Sequence, residues 1–339
     1  MKLQRHAGNP VLKPEPLNSW ENLAVCNPAV WYEDGLFRML YRAAGDNELH
    51  RIYLGLADSR DGINFERVSS DPVLAPSVDG PDAGCIEDPR IVKFEGVYYI
   101  TYAYRPFPPR QYWLNPEGLA YAPGSPAGAP RLIRENLTNT GLAMSTDMQT
   151  FIRLGRLTEA NSDNRDVMFF PERIKGKYVL LHRKKELPDT PFPSIRISFM
   201  KDLFDYNDGF LLARDRYWWE TKMGAGCPPL RTDDGWLLIY HAVCRKGIYR
   251  AGAMLLDLEN PRKVIARTPE PILEPKYDYE CSGLYCDCVF PTGTAVVGDI
   301  LYIYYGAADR CICLATCKLS RLIDYLLNRG RIERYAEQG

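Results

Sequence analysis

The chain has 339 residues, and its 42 Lys and Arg against 43 Asp and Glu give a formal net charge of −1. This balance excludes the strongly basic composition of many nucleic-acid-binding proteins, and 46% hydrophobic residues exclude a disordered chain. No segment approaches the ~20 consecutive apolar residues that a membrane helix needs. The first residues also lack the apolar core of a secretory signal. We therefore expect a globular protein located in the cytoplasm.

Aromatic residues and cysteines narrow the class of protein further. The 22 Tyr, 12 Phe and 6 Trp favour β-strands, and their flat rings are also suited to stacking against sugars or bases. Ten cysteines are present, but spacings such as C-x4-C-x-C from Cys281 to Cys288 are not those of zinc ribbons. We expect reduced, buried thiols, no metal and no cofactor.

An internal repeat organises the chain. Each copy consists of an apolar strand, a Gly-containing turn and a Tyr-rich strand, and glycine supplies the positive φ that tight hairpin turns need. Most copies are followed by a further pair of strands. A unit of four strands that recurs five times predicts an all-β fold, a five-bladed β-propeller, whereas a generic sandwich would not repeat in this way. The copies begin at Asn27, Glu87, Phe170, Gly226 and Phe290.

The remaining segments complete one predicted domain over residues 1–339. The last blade is short of strands, and we expect the N-terminal segment to supply an outer strand and close the ring. Apolar residues with a helical period predict a C-terminal helix at about 319–335. Residues 105–137 form a Pro- and Gly-rich insertion in the second blade, which predicts a lid or an arm joining subunits of a homo-oligomer.

Polar residues stand where the blades begin, and in a propeller these positions converge on the central axis. Buried carboxylates without partners are costly, so acids at these positions indicate a site or ion pairs. The polar residues at the blade starts are Asn27, Glu87, Asp88, Arg165, Asp166, Glu172, Lys222 and Asp309. Those at the ends of second strands are Arg42, His182, Arg183 and His241.

The balance of charges favours one kind of chemistry. Ordinary glycosidases need two carboxylates, but the first blade begins with Asn27, whose amide cannot act as a base. Arg165, Arg183 and Lys222 would instead bring three cations to the axis, where they would bind an anion such as phosphate. Phosphate is already anionic and needs no protein base. One acid and a phosphate site describe a glycoside phosphorylase.

Six motifs together resemble glycoside hydrolase family 130, the inverting β-mannoside phosphorylases and some related hydrolases. They are NPAV at 27–30, EDPR at 87–90, NRDVMFFPE at 164–172, LHR at 181–183, KMGAGCPP at 222–229 and YYGAAD at 304–309. The resemblance implies a five-bladed propeller, with Asp88 as the catalytic acid and phosphate bound by Arg165, Arg183 and Lys222. Lys184 departs from the proline that often follows LHR in the family, which affects the subsite for the leaving sugar. The residues expected to bind substrate are Asn27, Arg42, Glu87, Asp166, His182, Tyr249, Phe290 and Asp309.

Two alternatives stay open at this stage. A β-mannosidase would need a carboxylate base, for which Glu172 and Asp309 are the candidates, although Glu172 is also suited to pairing with Arg173 or with backbone amides. A sugar-binding propeller without catalysis would use the aromatic residues as platforms. The phosphorylase would take a β-mannoside and inorganic phosphate as its partners, and the sequence leaves open the linkage, β-1,4 or β-1,2. It also leaves open the leaving sugar, which is mannose, glucose or N-acetylglucosamine.

Overall fold

The computed structural model describes residues 1–114, 125, 126 and 128–332. The first strand, β1 (Gln4–Arg5), belongs to the last sheet. The first blade contains β2 (Ala24–Glu33), β3 (Leu36–Ala44), β4 (Ile52–Ser59) and β5 (Glu66–Arg67). The second contains β6 (Cys85–Phe94), β7 (Val97–Arg105), β8 (Asn139–Ser145) and β9 (Ile152–Arg156), and a short helix, α1 (Arg131–Arg134), precedes β8.

The remaining blades follow in chain order. The third contains β10 (Asn164–Phe169), β11 (Tyr178–Lys184), β12 (Ile195–Met200) and β13 (Phe210–Ala213). The fourth contains β14 (Lys222–Ala225), β15 (Leu230–Thr232), β16 (Gly235–Val243), β17 (Tyr249–Leu256) and β18 (Val264–Arg267). A short helix, α2 (Asp278–Cys281), leads to β19 (Val289–Val297), β20 (Ile300–Ala307) and β21 (Cys311–Lys318) of the fifth blade, and α3 (Leu319–Arg329) ends the described helices.

The five sheets form a closed ring, which confirms the predicted five-bladed propeller. The inner strand β2 contacts β6, β6 contacts β10, β10 contacts β14, β16 and β17 of the fourth blade contact β19, and β19 returns to β2. The ring closes as expected, because β1 pairs with the outer strand β21 of the fifth blade. Apolar clusters fill each of the five interfaces between neighbouring blades, so the core is distributed around the ring and the axis is left to polar residues.

In the first two blades the turn between the inner and the second strand has the geometry that the repeat predicts. Asp34 and Gly35 have φ of 52° and 74°, and Glu95 and Gly96 have φ of 51° and 84°. Positive φ at both central residues defines the type I′ turn, whose twist matches that of the two strands it joins. The glycine at the second position adopts this conformation without steric cost.

A repeated set of three side chains, an acid, a tyrosine and an arginine, fastens the strands of a blade together. In the fourth blade, the Tyr240 hydroxyl donates to Glu220 Oε1 at 2.7 Å, and Arg267 Nη2 lies 2.6 Å from Glu220 Oε2. The acid precedes the inner strand, the tyrosine lies on the second strand and the arginine on the outermost, so this latch spans the sheet. Equivalent latches are Glu21–Tyr41–Arg67, Asp82–Tyr102–Arg153 and Glu280–Tyr305–Arg5.

The C-terminal helix is shorter than predicted. Leu322, Ile323 and Leu326 are buried, and α3 contacts β17, β18 and β21. It ends at Arg329, and its C-cap residue Gly330 lies so close to strand β18 that a Cβ would be 2.6 Å from the carbonyl oxygen of Arg267, so glycine is required there. Residues 333–335 of the predicted helix lie outside the described residues, as do 115–124 and 127 of the insertion. None of the helices within the described ranges is long and apolar enough to cross a membrane.

Candidate active site

A cavity of about 320 Å³ lies on the propeller axis. Residues from all five blades line it, so its polar lining is assembled from distant parts of the sequence. Of the residues predicted for the site, the structure brings all but one to this cavity. They are Asn27, Arg42, Glu87, Asp88, Arg165, Asp166, Arg183, Lys222, Tyr249, Phe290 and Asp309.

A break in the inner strand directs polar side chains into the cavity. In the first three blades the pairing of the inner strand with the second strand shifts register. The residues at these bulges are Asn27, Asp88 and Asp166, with φ of 48°, 53° and 53°. The left-handed conformation costs a residue other than glycine on the order of 1–3 kcal/mol, and such strain concentrates at functional sites. The bulge turns each of these side chains towards the axis.

The carboxyl of Asp88 is held on one oxygen and open on the other. Its Oδ1 accepts hydrogen bonds from Asn27 Nδ2 at 2.8 Å and Arg42 Nη1 at 3.3 Å. Arg42 also contacts Glu87 Oε2 at 3.1 Å, and burial raises the pKa of Glu87. Among the described residues Oδ2 of Asp88 has no hydrogen-bond partner, so this oxygen is available to a ligand.

A second carboxyl, that of Asp309, lies on the same side of the cavity. The Tyr112 hydroxyl donates to Asp309 Oδ2 at 2.9 Å, and Arg42 Nη2 donates to the Tyr112 oxygen at 3.4 Å. Arg42 therefore connects Asp309, through Tyr112, to Asp88. Burial, with the negative charge of Asp88 nearby, raises the pKa of Asp309.

Cations gather on another part of the wall. Arg165 makes a bidentate pair with Asp163, with Nε–Oδ1 and Nη2–Oδ2 distances of 2.9 and 3.1 Å. Arg183 Nε donates to Asp166 Oδ2, which His241 Nε2 also approaches at 3.4 Å. Two of the predicted phosphate ligands are therefore held in place by acids.

Lys222 shows that the cations are close enough to repel one another. Its pKa is lowered to about 7, first by burial and then by the positive charges of Arg183 and Arg165. Arg105 joins this group, and its pKa is lowered by burial and by Arg165. Repulsion among like charges in a buried cavity is relieved by a bound anion, because the anion interacts favourably with every cation.

The structure corrects the prediction for His182, which does not line the cavity. In the ladder of β10 and β11, Arg183 lies opposite Arg165, and its side chain faces the axis. Neighbouring residues of a strand point to opposite faces of the sheet. His182 therefore faces away, at the position that tyrosine occupies in the latches of the other blades. Its ring lies 3.1 Å from Ser198 Oγ and 3.4 Å from Asn164 Nδ2, and burial lowers its pKa to about 3.

Two other charged residues lie away from the cavity. Glu172 accepts a hydrogen bond from Arg231 at 2.6 Å, so its partner is neither Arg173 nor a backbone amide as expected. Lys184, where the family often has proline, donates to Asp208 at 2.9 Å and does not line the cavity.

Sequence reasoning missed several residues of the cavity wall. Arg105 is the last residue of β7, two residues beyond the position that Arg42 and Arg183 occupy opposite the inner strands of their blades, and an arginine so near the end of a second strand was a signal that could have found it. Tyr112 belongs to the insertion and has no counterpart in the repeat. The other missed residues are Pro109, Tyr285 and Cys288. The described residues contain no group of three or more His, Cys, Asp or Glu side chains arranged to hold a metal ion.

Comparison with known proteins agrees with this geometry. A family model for glycoside hydrolase family 130, described as β-1,4-mannooligosaccharide phosphorylase, matches residues 3–111 and 134–328. The chain belongs to this family. The segment between the matched ranges corresponds to most of the insertion, which therefore lies outside what the family model covers.

Relatives of this family-130 chain match it over nearly its whole length. A 1,2-β-oligomannan phosphorylase of Thermoanaerobacter sp. (strain X514) is 38% identical, over 94% of this chain and 98% of its own. A β-1,2-mannobiose phosphorylase of the same strain is 36% identical, over 95% of this chain and 99% of its own. The solved structure of β-1,2-mannobiose phosphorylase from Listeria innocua with β-1,2-mannobiose superimposes with a TM-score of 0.79 at 26% identity, covering 96% of this chain and 99% of that one.

Proposed function

We propose that the protein is an inverting phosphorylase that cleaves β-mannosides with inorganic phosphate. The observation that carries this proposal is the shared cavity, in which one carboxyl with an open oxygen, that of Asp88, faces a space also lined by Arg165, Arg183 and Lys222. The products are α-mannose 1-phosphate and the shortened sugar.

In the proposed reaction, a phosphate oxygen bound by the three cations attacks the anomeric carbon of mannose. The bond from that carbon to the glycosidic oxygen breaks on the opposite face, so a β-mannoside gives an α-phosphate. Asp88 supplies the proton that the leaving oxygen takes up. In the mechanism that the family resemblance implies, this proton passes through the 3-hydroxyl of mannose. Phosphate needs no deprotonation to act as the nucleophile, so a second carboxylate is unnecessary.

The positions of the other acids disfavour a hydrolase. Water as nucleophile requires a carboxylate base across the sugar from the acid. Glu172 does not line the cavity, and Asp309 is joined to the side of Asp88 through Tyr112 and Arg42. On the cationic side, Asp166 is engaged by Arg183. The described acids of the cavity are thus either beside Asp88 or paired with arginine.

We propose a β-1,2 linkage as the preferred substrate. Two relatives with 38% and 36% identity are named for β-1,2-linked mannosides, and so is the solved structure with a TM-score of 0.79. The family model, by contrast, is described by a β-1,4 activity. The linkage is therefore decided by experiment between two defined candidates.

The test of this proposal is the dependence of cleavage on phosphate. The protein is incubated with β-1,2-mannobiose, β-1,4-mannobiose and β-1,4-mannosyl-glucose, each with and without phosphate, and α-mannose 1-phosphate and free mannose are quantified. Cleavage only with phosphate, yielding mannose 1-phosphate, supports the phosphorylase. Equal cleavage without phosphate identifies a hydrolase, and binding without cleavage identifies a sugar-binding propeller. Preference for β-1,4-mannobiose would contradict the proposed linkage alone.

We also propose that the protein acts in the cytoplasm and as a homo-oligomer. All ten cysteines are unpaired, most of them buried, which suits the reducing cytoplasm. A homo-oligomer is proposed on the insertion, whose length is typical of lids and subunit arms. Light scattering of the purified chain gives its mass in solution, and the mass of a single 38.7-kDa chain would contradict the oligomer.

A further inference from the structure

Arg90 is a fully buried arginine next to the catalytic acid, and it does not line the cavity. Its Nη1 donates to the main-chain oxygen of Asp88 at 2.9 Å and to that of Pro89 at 3.0 Å. Its Nε donates across the axis to the carbonyl oxygen of Gly226 in the fourth blade. One side chain thus contacts the backbone on both sides of the propeller axis.

These contacts supply hydrogen-bond donors to two carbonyl groups that the bulge removes from the β-ladder. Pairing with β7 runs through Glu87 and resumes at Arg90, so Asp88 and Pro89 are left out of the ladder. Buried carbonyl groups without a donor are unfavourable, and a backbone without such bonds can adopt other conformations. Asp88 also has a left-handed φ of 53°, which surrounding contacts have to maintain. The Arg90 guanidinium supplies the donors that the second strand does not.

Gly226, which accepts the hydrogen bond from Arg90 Nε, is held firmly by its own surroundings. The amide of Gly226 donates to the carbonyl oxygen of Ile239 at 2.9 Å. A Cβ at Gly226 would lie 2.7 Å from the oxygen of Pro291 and 2.8 Å from that of Ile239, so only glycine fits there. Because Gly226 is held by its own blade, Arg90 fixes the Asp88 bulge against a part of the structure that does not depend on Arg90.

We propose that Arg90 is a positioning residue for the reaction, acting through Asp88: it holds the strained bulge that points the acid at the glycosidic bond. This inference rests on the proposed function. Arg90 donates only to main-chain oxygens, two in the acid's segment and that of Gly226, which its own blade holds. Its loss should therefore move the Asp88 carboxyl away from the glycosidic oxygen while leaving the phosphate-binding residues of the third and fourth blades in place.

The experiment compares Arg90→Gln and Arg90→Lys with wild type on two substrates that differ in their need for a proton. The leaving sugar of β-1,2-mannobiose must be protonated, whereas the phenolate of 2,4-dinitrophenyl β-mannoside departs without a proton. We expect kcat for mannobiose to fall about 100-fold in Arg90→Gln and about tenfold in Arg90→Lys, which keeps a charge and a donor. With the aryl substrate the loss should stay below about threefold, and the KM for phosphate should change by less than about twofold.

Arg196→Lys is the matched control. Arg196 is also buried and donates to two main-chain oxygens, those of Asp208 and Gly209, but it does not line the cavity. We expect its two activities to change by the same small factor. Equal losses of Arg90→Lys on both substrates would show a merely structural role for Arg90 and overturn the inference, as would wild-type kcat in Arg90→Gln.

A double-mutant cycle gives an independent readout. If Arg90 acts through Asp88, then Arg90→Lys should cause no further loss of kcat in an Asp88→Asn background. Additive losses would contradict the inference. The wild-type reaction is measured first with and without phosphate, so a failure of the proposed phosphorolysis is seen separately from a failure of the role of Arg90.

Discussion

Lys222 donates a hydrogen bond from Nζ to the hydroxyl of Tyr249 at 2.7 Å, in a cavity wall where its nearest charged neighbours include Arg183 and Arg165. Its pKa is lowered to about 7 by burial and by these two cations. Lys222 is therefore charged below pH 7 and increasingly neutral above it. We predict that phosphate binding weakens as the pH rises from about 6 to 8, since the lysine loses the charge that attracts the anion.

The measurement is the KM for phosphate as a function of pH, with Lys222→Arg as the comparison. An arginine stays protonated throughout this range. The KM for phosphate of Lys222→Arg therefore changes with pH only through the ionisation of phosphate. Subtracting that profile from the wild-type profile should leave a single titration near pH 7. Identical profiles in the two proteins would contradict a titrating Lys222.

Arg183 tests the phosphate site more directly. Its Nε donates to Asp166, which holds the guanidinium in place, and its side chain lines the cavity in which we propose that phosphate binds. A charge-assisted hydrogen bond contributes about 1.5–3 kcal/mol. Arg183→Lys should therefore raise the KM for phosphate by roughly ten- to a hundredfold, because an ammonium cannot reproduce the fork.

The control for Arg183 is Arg231→Gln, which breaks a surface pair with Glu172 outside the cavity. Its kinetic constants should match those of wild type. In Arg183→Lys, binding of mannobiose measured by calorimetry should change much less than binding of phosphate. A KM for phosphate that stays within twofold of wild type would remove Arg183 from the anion site.

Much of the site could be predicted because it depends on position in the repeat. Asn27 and Asp88 stand at the start of their copies of the repeat, so the repeat predicts that both converge on the axis. The third copy was placed from Phe170, after the inner strand β10, and it is the structure that puts Asp166 at the bulge equivalent to Asn27 and Asp88. The left-handed bulges themselves could not be read from the sequence. Register shifts arise from pairing between strands, which a single strand's residues do not record.

The wrong prediction for His182 and the omission of Tyr112 each have a specific cause. His182 stands next to Arg183 in the sequence, and a strand sends neighbouring residues to opposite faces, so a single strand cannot supply both to the cavity. The latches show why a polar residue is present there, because other blades place tyrosine at the same position. Tyr112 was missed for the opposite reason: it lies in the insertion, and no repeat fixes where an insertion returns to the fold.

Asp88→Asn tests the acid. The amide keeps the shape and the contacts of Oδ1 but has no proton to transfer, and general acid catalysis contributes about 10²–10⁴-fold. We predict that kcat for mannobiose falls by at least that lower factor, while phosphate still binds and the thermal transition is unchanged. Near-wild-type turnover would move the acid to Glu87 or Asp309, the other carboxyl groups on this side of the cavity.

Tyr112→Phe tests the contribution of the insertion to the site. The variant removes the donor to Asp309, the 2.9 Å hydrogen bond, and leaves the ring in place. The lost bond is internal to the protein and reaches the substrate only through the position of Asp309, so the KM for the mannoside should rise by about two- to fivefold, less than the tenfold or more expected for losing a charge-assisted bond to the substrate itself. The KM for phosphate should stay near wild type. Tyr277→Phe, at a half-exposed tyrosine away from the cavity, is the control.

The latches predict how stability is distributed among the blades. In the fourth blade, Tyr240 donates to Glu220 at 2.7 Å, whereas in the second blade the Tyr102–Asp82 distance is 3.5 Å. Tyr240→Phe should therefore lower the free energy of unfolding by about 1.5–3 kcal/mol, the range for a hydrogen bond to a charged group. Tyr102→Phe should lower it by less than about 1 kcal/mol, since a longer bond contributes less.

Glu220→Gln should be more harmful than either tyrosine change. It leaves the buried guanidinium of Arg267, now 2.6 Å from Glu220, without its counter-charge. Removing one partner of a buried ion pair costs about 3–5 kcal/mol. Urea titrations of the three variants followed by tryptophan fluorescence should rank them Glu220→Gln, then Tyr240→Phe, then Tyr102→Phe by loss of stability. Equal losses for the two tyrosine variants would show that the length of the hydrogen bond does not set the strength of a latch.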